Sequence, residues 1–125
     1  MLSTTTMVNV RKAIESTYNC TCNIIEHEKV KKENKSTGFE EKTVLENKKC
    51  KLSFESVTST NQNDINAKVT QVTKLFIAPE HKIKPGSRID VTDALNTTTS
   101  YECSGQPAIY ESHQEIVLKL FEGWA

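Results

Sequence analysis

Two short segments carry side chains whose types can do chemistry, and the first is a group of cysteines. Cys20, Cys22 and His27 lie close together, and Cys50 follows further along the chain. Structural zinc sites typically separate paired cysteines by two to four residues. A single intervening residue on a strand places both sulfurs on one face, about 6.5 Å apart. We therefore predict buried thiols, with Cys103 as a further small core residue, and no metal; a zinc-binding module is the less favoured alternative.

The second segment is Ser112-His113-Gln114-Glu115, which offers a nucleophile, a base and a carboxylate in sequence. Adjacent residues on a strand point to opposite faces, so we predict that Ser112 and His113 do not form a hydrogen-bonded pair. The segment is interpreted as a polar turn before the last strand. The chain also lacks a Gly-rich phosphate cradle and a Rossmann fingerprint. We expect no catalytic residue, no cofactor and no enzymatic activity.

Length and charge narrow the possible functions. A chain of 125 residues has the usual length of a single domain. Sixteen basic residues balance sixteen acidic ones, so net charge does not attract the protein to nucleic acid or to an anionic membrane. Only Arg11 and Arg88 are arginine, which disfavours bidentate recognition of phosphate or guanine. Contact with duplex DNA is expected to be weak, salt-sensitive and without sequence specificity.

The N-terminal half predicts one helix followed by strands. Residues 1–6 are predicted to be flexible, and residues 7–125 to form a single β-rich domain. A helix is predicted over residues 7–18, capped by Thr5 or Thr6, because apolar side chains recur there at spacings of three and four. Those side chains are Met7, Val10, Ile14 and Tyr18.

Alternating apolar residues then predict strands over residues 20–28, 39–45, 49–55 and 67–77, of which the start of the last is equally compatible with a helical turn. In the third of these strands, Cys50, Leu52 and Phe54 are expected to face the core. Residues 29–37 are predicted to be a charged hairpin tip. Residues 56–66 are a polar loop, interpreted either as a flexible tip or as a loop that reaches a neighbouring subunit.

Residues 73–121 hold the clearest pattern, a series of short strands separated by turns. The apolar residues at alternate positions are Leu75, Ile77, Ile89, Val91, Ile116, Leu118 and Leu120. Pro85-Gly86 predicts a type II turn, because the second centre of that turn requires positive φ. Residues 88–93 and 99–103 are predicted to pair as a hairpin. The fold class is therefore mainly β: a small antiparallel β-barrel or curled sheet with an N-terminal α-helix.

The order of these pieces resembles a known family. KPGSRIDV is followed by a short hairpin returning through SYECSGQPAIY and by SHQEIVLKLF as the last strand. This order is similar to the head-closure proteins of tailed bacteriophages, also called stoppers or head-tail connectors. The resemblance covers the C-terminal half most strongly, and RKAIE at residues 11–15 extends it to the predicted helix.

The resemblance implies a structural virion protein of the phage neck. Such a protein forms a homo-oligomeric ring, expected here to be a hexamer, that closes the DNA-filled head. The portal or adaptor ring is its partner on one side, and the tail terminator or tail is its partner on the other. Packaged double-stranded DNA lies in the channel, and assembly takes place in the host bacterial cytoplasm. The alternatives are another neck ring, either tail terminator or adaptor, or a small nucleic-acid-binding β-barrel.

Two further expectations concern location and assembly. The N-terminal residues lack a secretory signal pattern, and no apolar run approaches the length of a membrane span, so we expect no membrane contact. Trp124, the single tryptophan, follows the last predicted strand, and tryptophan is enriched at interface hot spots. Phe121 and Trp124 are therefore candidate interface residues. Trp124 is expected either to pack on its own domain or to insert against a neighbouring subunit.

Overall fold

The computed structural model describes residues 4–31, 37–59 and 68–124. The described elements, in chain order, are α1 (Thr4–Glu15), β1 (Cys20–Lys31), β2 (Thr37–Ser59), β3 (Lys68–Ile77), β4 (Arg88–Thr92), β5 (Thr98–Cys103), β6 (Ala108–Ile109) and β7 (Gln114–Leu120). The predicted fold class is confirmed: the described chain is mainly β, with one N-terminal helix.

The strands form one antiparallel sheet that closes on itself. Their order is β3-β2-β1-β4-β5-β7-β6, and an additional pairing of β3 with β7 closes the sheet. Register shifts in the β1–β2 ladder help to bend it: Asn47 adopts a φ of 50°, and its N–H donates a 2.8 Å hydrogen bond to the Asn23 side chain. Extra residues of this kind increase local twist and bending, as a sheet of few strands needs for closure.

The core lies inside the closed sheet and follows the predicted alternation. Ile24, Leu75, Ile77, Ile89 and Ile116 have no exposed surface. All four cysteines are also buried there, as predicted. The β4–β5 hairpin is confirmed, with Arg88 opposite Glu102 and Thr92 opposite Thr98.

Two residues predicted to face the core are exposed instead. Phe54 is 59% exposed and Leu120 is 63% exposed. The pairing of β3 with β7 ends at Thr73 and Leu118, and Thr73 also pairs with Phe54. Phe54 therefore lies on the last row of the closed sheet, and Leu120 lies beyond it, where β7 no longer pairs with β3. The alternation of apolar residues therefore continues past the row at which the sheet closes.

Helix α1 begins earlier than predicted and lies against the outer face of the sheet. It starts at Thr4, so Thr5 and Thr6 lie within the helix instead of capping it. The Arg11 guanidinium binds the Glu80 carboxylate at 2.9 Å. A groove of about 360 Å³, lined in part by Tyr18 and Phe76, separates the helix from the sheet. Burial raises the pKa of Tyr18 to about 12.

The predicted turn at Pro85-Gly86 is confirmed. Gly86 has a φ of 87°, and the Ser87 N–H donates to the Lys84 carbonyl at 3.1 Å, as a type II turn requires. Nothing lies within 4 Å of the position that a Cβ at Gly86 would occupy. Glycine is required at this position by the backbone conformation and not by lack of space.

The long connectors are shorter than predicted because β1 and β2 are longer. β1 continues to Lys31, and the strands predicted over residues 39–45 and 49–55 are one continuous strand, β2. Residues 68–77 are strand throughout, which excludes the helical turn. The remainders of the two predicted loops, residues 32–36 and 60–67, lie outside the described residues. In the described ranges, no helix has the length and apolar character needed to cross a membrane.

Candidate functional site

The serine, histidine and glutamate near β7 form a hydrogen-bonded chain, contrary to the prediction. Ser112 Oγ lies 3.0 Å from His113 Nδ1, and His113 Nε2 lies 3.0 Å from Glu115 Oε2. The strand argument fails because β7 begins only at Gln114. Ser112 and His113 lie in a turn closed by a 2.8 Å hydrogen bond from the Tyr110 N–H to the His113 carbonyl. Opposite-face alternation does not apply in a turn.

The contacts of the Ser112–His113–Glu115 array hold the His113 ring in place. The His113 ring stacks on Tyr110, with ring centroids 5.0 Å apart, and lies 5.7 Å from the Phe76 ring. Glu115 also faces Lys74 Nζ at 3.6 Å, which divides its charge between two partners. Nucleophile, base and orienting carboxylate are the components of covalent catalysis. Here they also join the turn before β7 to β3.

Three of the four buried cysteines lie side by side on β1 and β2: Cys20, Cys22 and Cys50. Cys20 is directly opposite Cys50. A hydrogen bond with Cys22, together with burial, raises the pKa of the Cys50 thiol, and burial raises that of Cys103 to about 11. Because the thiolate is the nucleophile and the metal ligand, these shifts disfavour both reactions. In the part of the chain that the structure describes, no three His, Cys, Asp or Glu side chains are grouped to hold a metal ion.

Trp124 packs on its own domain. Its ring stacks on His27, with centroids 4.5 Å apart and planes 11° apart, and Phe39 stacks on His27 at 4.8 Å. The indole N–H donates a 3.0 Å hydrogen bond to the Glu41 carboxylate. Phe121 meets the Trp124 ring edge-on at 4.9 Å. The two candidate interface residues therefore belong to one aromatic cluster, which anchors the C-terminal segment on β1 and β2.

Sequence analysis did not identify the residues that receive Trp124. His27 and Glu41 lie opposite each other in the β1–β2 ladder, but they are far apart in the sequence. Arg88 completes this site, with its guanidinium 2.7 Å from Glu41 and 5.5 Å from the centre of the Phe121 ring. No local pattern in the sequence links these positions.

Two hairpins extend beyond the closed sheet. Arm 1 consists of residues 26–31 of β1 and 37–42 of β2, because β4 pairs with β1 only through residues 21–25. Arm 2 consists of residues 55–59 of β2 and 68–72 of β3, beyond the pairing of β3 with β7. Strand β2 crosses the closed sheet between the two arms, so the arms leave from opposite ends. Each arm has strand edges with no partner strand in the described chain.

Comparison with known proteins finds a solved structure with a similar fold. The structure of this chain is similar to that of the phage-like element PBSX protein xkdH from Bacillus subtilis, with a TM-score of 0.52 and 11% sequence identity. The similarity covers 85% of this chain and 97% of that chain. At this identity, the two proteins share a fold. No protein-family model and no curated protein sequence matches the chain.

Proposed function

We propose that this protein is a structural protein of the neck of a phage particle, which forms a ring that closes the DNA-filled head and connects it to the tail. The observation that carries the proposal is the similarity in fold, over nearly the whole chain, to a protein of a phage-like element. The order of strands and turns in residues 73–121 supports it independently, because it resembles head-closure proteins.

The two arms suit such a role. A ring in the neck meets one partner towards the head and a different partner towards the tail, so each subunit must present two unlike ends. Arms 1 and 2 leave opposite ends of the closed sheet and differ in sequence. The proposed partners are the portal or adaptor on one side and the tail terminator or tail on the other. Heterologous contacts between copies would close the ring, which we propose to be a hexamer.

Inactivation of the gene tests this function in the particle. If the protein closes the head, electron micrographs of the mutant lysate will show separate tails and heads that have lost their DNA. Normal particles would contradict the proposal. Stable DNA-filled heads without tails would favour the alternative of a tail terminator, which acts after closure. Complementation with the wild-type gene is the control.

We further propose that the protein is not an enzyme, and the Ser112–His113–Glu115 array offers a direct test. An activated ester such as p-nitrophenyl acetate reports on any serine-histidine pair that performs acyl transfer. The wild type and Ser112→Ala are expected to hydrolyse it at the same rate, within about twofold, where general-base catalysis alone would contribute about 10²-fold or more. A rate that depends on Ser112 would establish a catalytic serine.

A further inference from the structure

Arm 1 has two unlike faces, and one of them carries unbalanced negative charge. The first face bears His27, Phe39 and Glu41, which Trp124 and Arg88 engage. Alternation places Glu28 and Glu40 on the second face, where they lie directly opposite each other in the β1–β2 ladder. Like charges in directly opposite positions destabilise a strand pair.

The compensation for these two carboxylates is weak in the isolated chain. The Lys42 ammonium lies 3.9 Å from Glu28, and the two side chains are 62% and 41% exposed. Glu40 is exposed and has no ion pair with a described residue. We define Glu28 and Glu40 as the carboxylate pair. A positive charge supplied from outside would relieve their repulsion.

In the closed sheet, strand β2 carries a group of positively charged side chains. Lys48, Lys49 and Lys51 follow one another within four positions, and the lysines that form ion pairs in the described chain are others: Lys42, Lys74, Lys84 and Lys119. Lys49 and Lys51 are exposed. We define these two residues as the lysine face. They lie two positions apart and therefore point to the same side of the strand.

Two carboxylates beside the lysine face are already engaged. Lys49 lines a hollow together with Glu15 and Glu80. Both carboxylates bind the Arg11 guanidinium, at 3.1 and 2.9 Å. Among the described residues, no ion pair therefore compensates Lys49, Lys51 or Glu40, and Glu28 has only the long contact with Lys42.

We propose that the carboxylate pair of arm 1 contacts the lysine face of the next copy of this chain. The inference rests on the proposed oligomeric function and identifies the surfaces that it uses. A second copy carries both charged surfaces, so one repeated contact compensates both, whereas DNA would compensate the lysine face and leave the carboxylate pair uncompensated. Because the two surfaces differ, the contact is heterologous, which is the type that closes into rings. The unpaired strand edges of arm 1 add hydrogen-bonding groups to the same contact.

Charge reversal tests the contact by sedimentation of the purified protein. Glu28→Lys with Glu40→Lys reverses arm 1, and Lys49→Glu with Lys51→Glu reverses the lysine face. Each double variant is expected to need at least about tenfold more protein to assemble, since like-charge contacts at an interface cost several kcal/mol. Lys29→Glu, on the opposite face of arm 1, is the matched control and is expected to assemble normally.

Restoration of assembly excludes misfolding as the explanation. The chain with all four substitutions is expected to assemble at wild-type concentration, and so is an equimolar mixture of the two double variants. Double variants that assemble like the wild type, or a fourfold variant that does not regain assembly, would overturn this inference but not the proposed ring function. A wild type that stays monomeric at low salt would overturn the ring function as well. If reversal of the lysine face abolishes duplex DNA retention and leaves the ring intact, the face binds DNA and the inference fails.

Discussion

Strand β2 passes through two environments, and the comparison shows what decides burial in this fold. Cys50 lies in the closed part and has no exposed surface, whereas Phe54, four residues on and on the same side of the strand, is 59% exposed. Cys50 pairs with both β1 and β3, while Phe54 pairs with β3 alone at the last row. An apolar side chain on this sheet is buried where the sheet closes around it and is exposed where the sheet opens.

The same comparison leads us to expect that the arms are less stable than the closed sheet. The closed part shares one core among six strands, β1 to β5 and β7. Each arm has only two strands, and isolated two-stranded hairpins are marginally stable in water. Arm 1 is braced by the aromatic cluster of Trp124. We therefore expect substitutions of core side chains in the closed part to change folding, and substitutions in the arms or in the exposed lysine face to change assembly.

The largest difference is expected between two apolar truncations. Leu75→Ala leaves a cavity in the core and should lower the free energy of unfolding by about 3 kcal/mol. Phe54→Ala should lower it by less than about 1 kcal/mol, because the ring is mostly in solvent. Urea denaturation of the two variants measures both values. Equal losses would mean that Phe54 is buried and that the closed sheet extends further than its pairing indicates.

Gln114 provides the next largest effect, because it is the buried polar side chain that joins β7 to the segment after β3. Its amide donates to the carbonyls of Ala78 and His81, at 2.8 and 2.6 Å. Gln114→Ala leaves both acceptors without this partner and should cost about 2 kcal/mol. Gln106→Ala, at an exposed position, is the control and should stay within about 0.5 kcal/mol of wild type.

Replacement of glycine by valine should have different effects on stability in the turn at Gly86 and in arm 1 at Gly38. Gly86→Val forces a β-branched residue to a φ of 87° and should cost about 1.5 kcal/mol of unfolding free energy. Gly38→Val lies in β2 within arm 1, where valine favours the strand, so a change within about 0.5 kcal/mol is expected. Thermal melts followed by circular dichroism compare the two. Equal losses would count against the turn assignment.

Removal of the C-terminal aromatic contact should have a small effect on folding. Trp124→Ala removes the stack on His27 and the hydrogen bond to Glu41, at a cost of about 1 kcal/mol. Because the cluster braces arm 1, assembly should weaken more than folding does. Leu95→Ala, at a side chain 86% exposed in the β4–β5 turn, is the control. If the Trp124 variant folds and assembles like wild type, Trp124 contributes neither to folding nor to assembly.

Acid should release the same contact without unfolding the closed sheet. Hydrogen bonds from Trp124 and Arg88 lower the pKa of Glu41 below its usual value of 4.5. A lowered carboxylate pKa means that the contact is fully present above this pH and is lost as the pH falls through the folded-state value. The emission of Trp124 should therefore shift to the red below about pH 4.5. In Glu41→Gln this titration should be absent, and its persistence would assign it to another group.

The sequence predicted most of the closed sheet because local pattern and turn chemistry determine it. Alternation located Leu75, Ile77, Ile89 and Ile116 in the core, and Pro85-Gly86 identified the turn. The prediction failed where burial depends on distant neighbours, as at Phe54 and Leu120. An alternating strand does not reveal where its partner strands end.

The candidate site was harder to predict, for two physical reasons. The Ser112–His113 hydrogen bond depends on whether a strand begins at residue 112 or 114, and element boundaries are not determined by periodicity. The aromatic cluster joins Trp124 to His27 and Glu41, which are far apart in sequence. The sequence predicts that Trp124 packs either on its own domain or against a neighbouring subunit. Its partners His27 and Glu41 can be identified only when the register of β1 and β2 is known.

Electron microscopy of the purified wild-type protein tests the central claim most directly. At low salt and micromolar concentration, negatively stained images should show closed rings of about six subunits with a central channel, since heterologous contacts generate a ring when the rotation between subunits closes. The same preparation at high salt should show fewer rings, because screening weakens the contact between arm 1 and the lysine face. Single globular particles under both conditions would contradict a ring-forming protein of the phage neck.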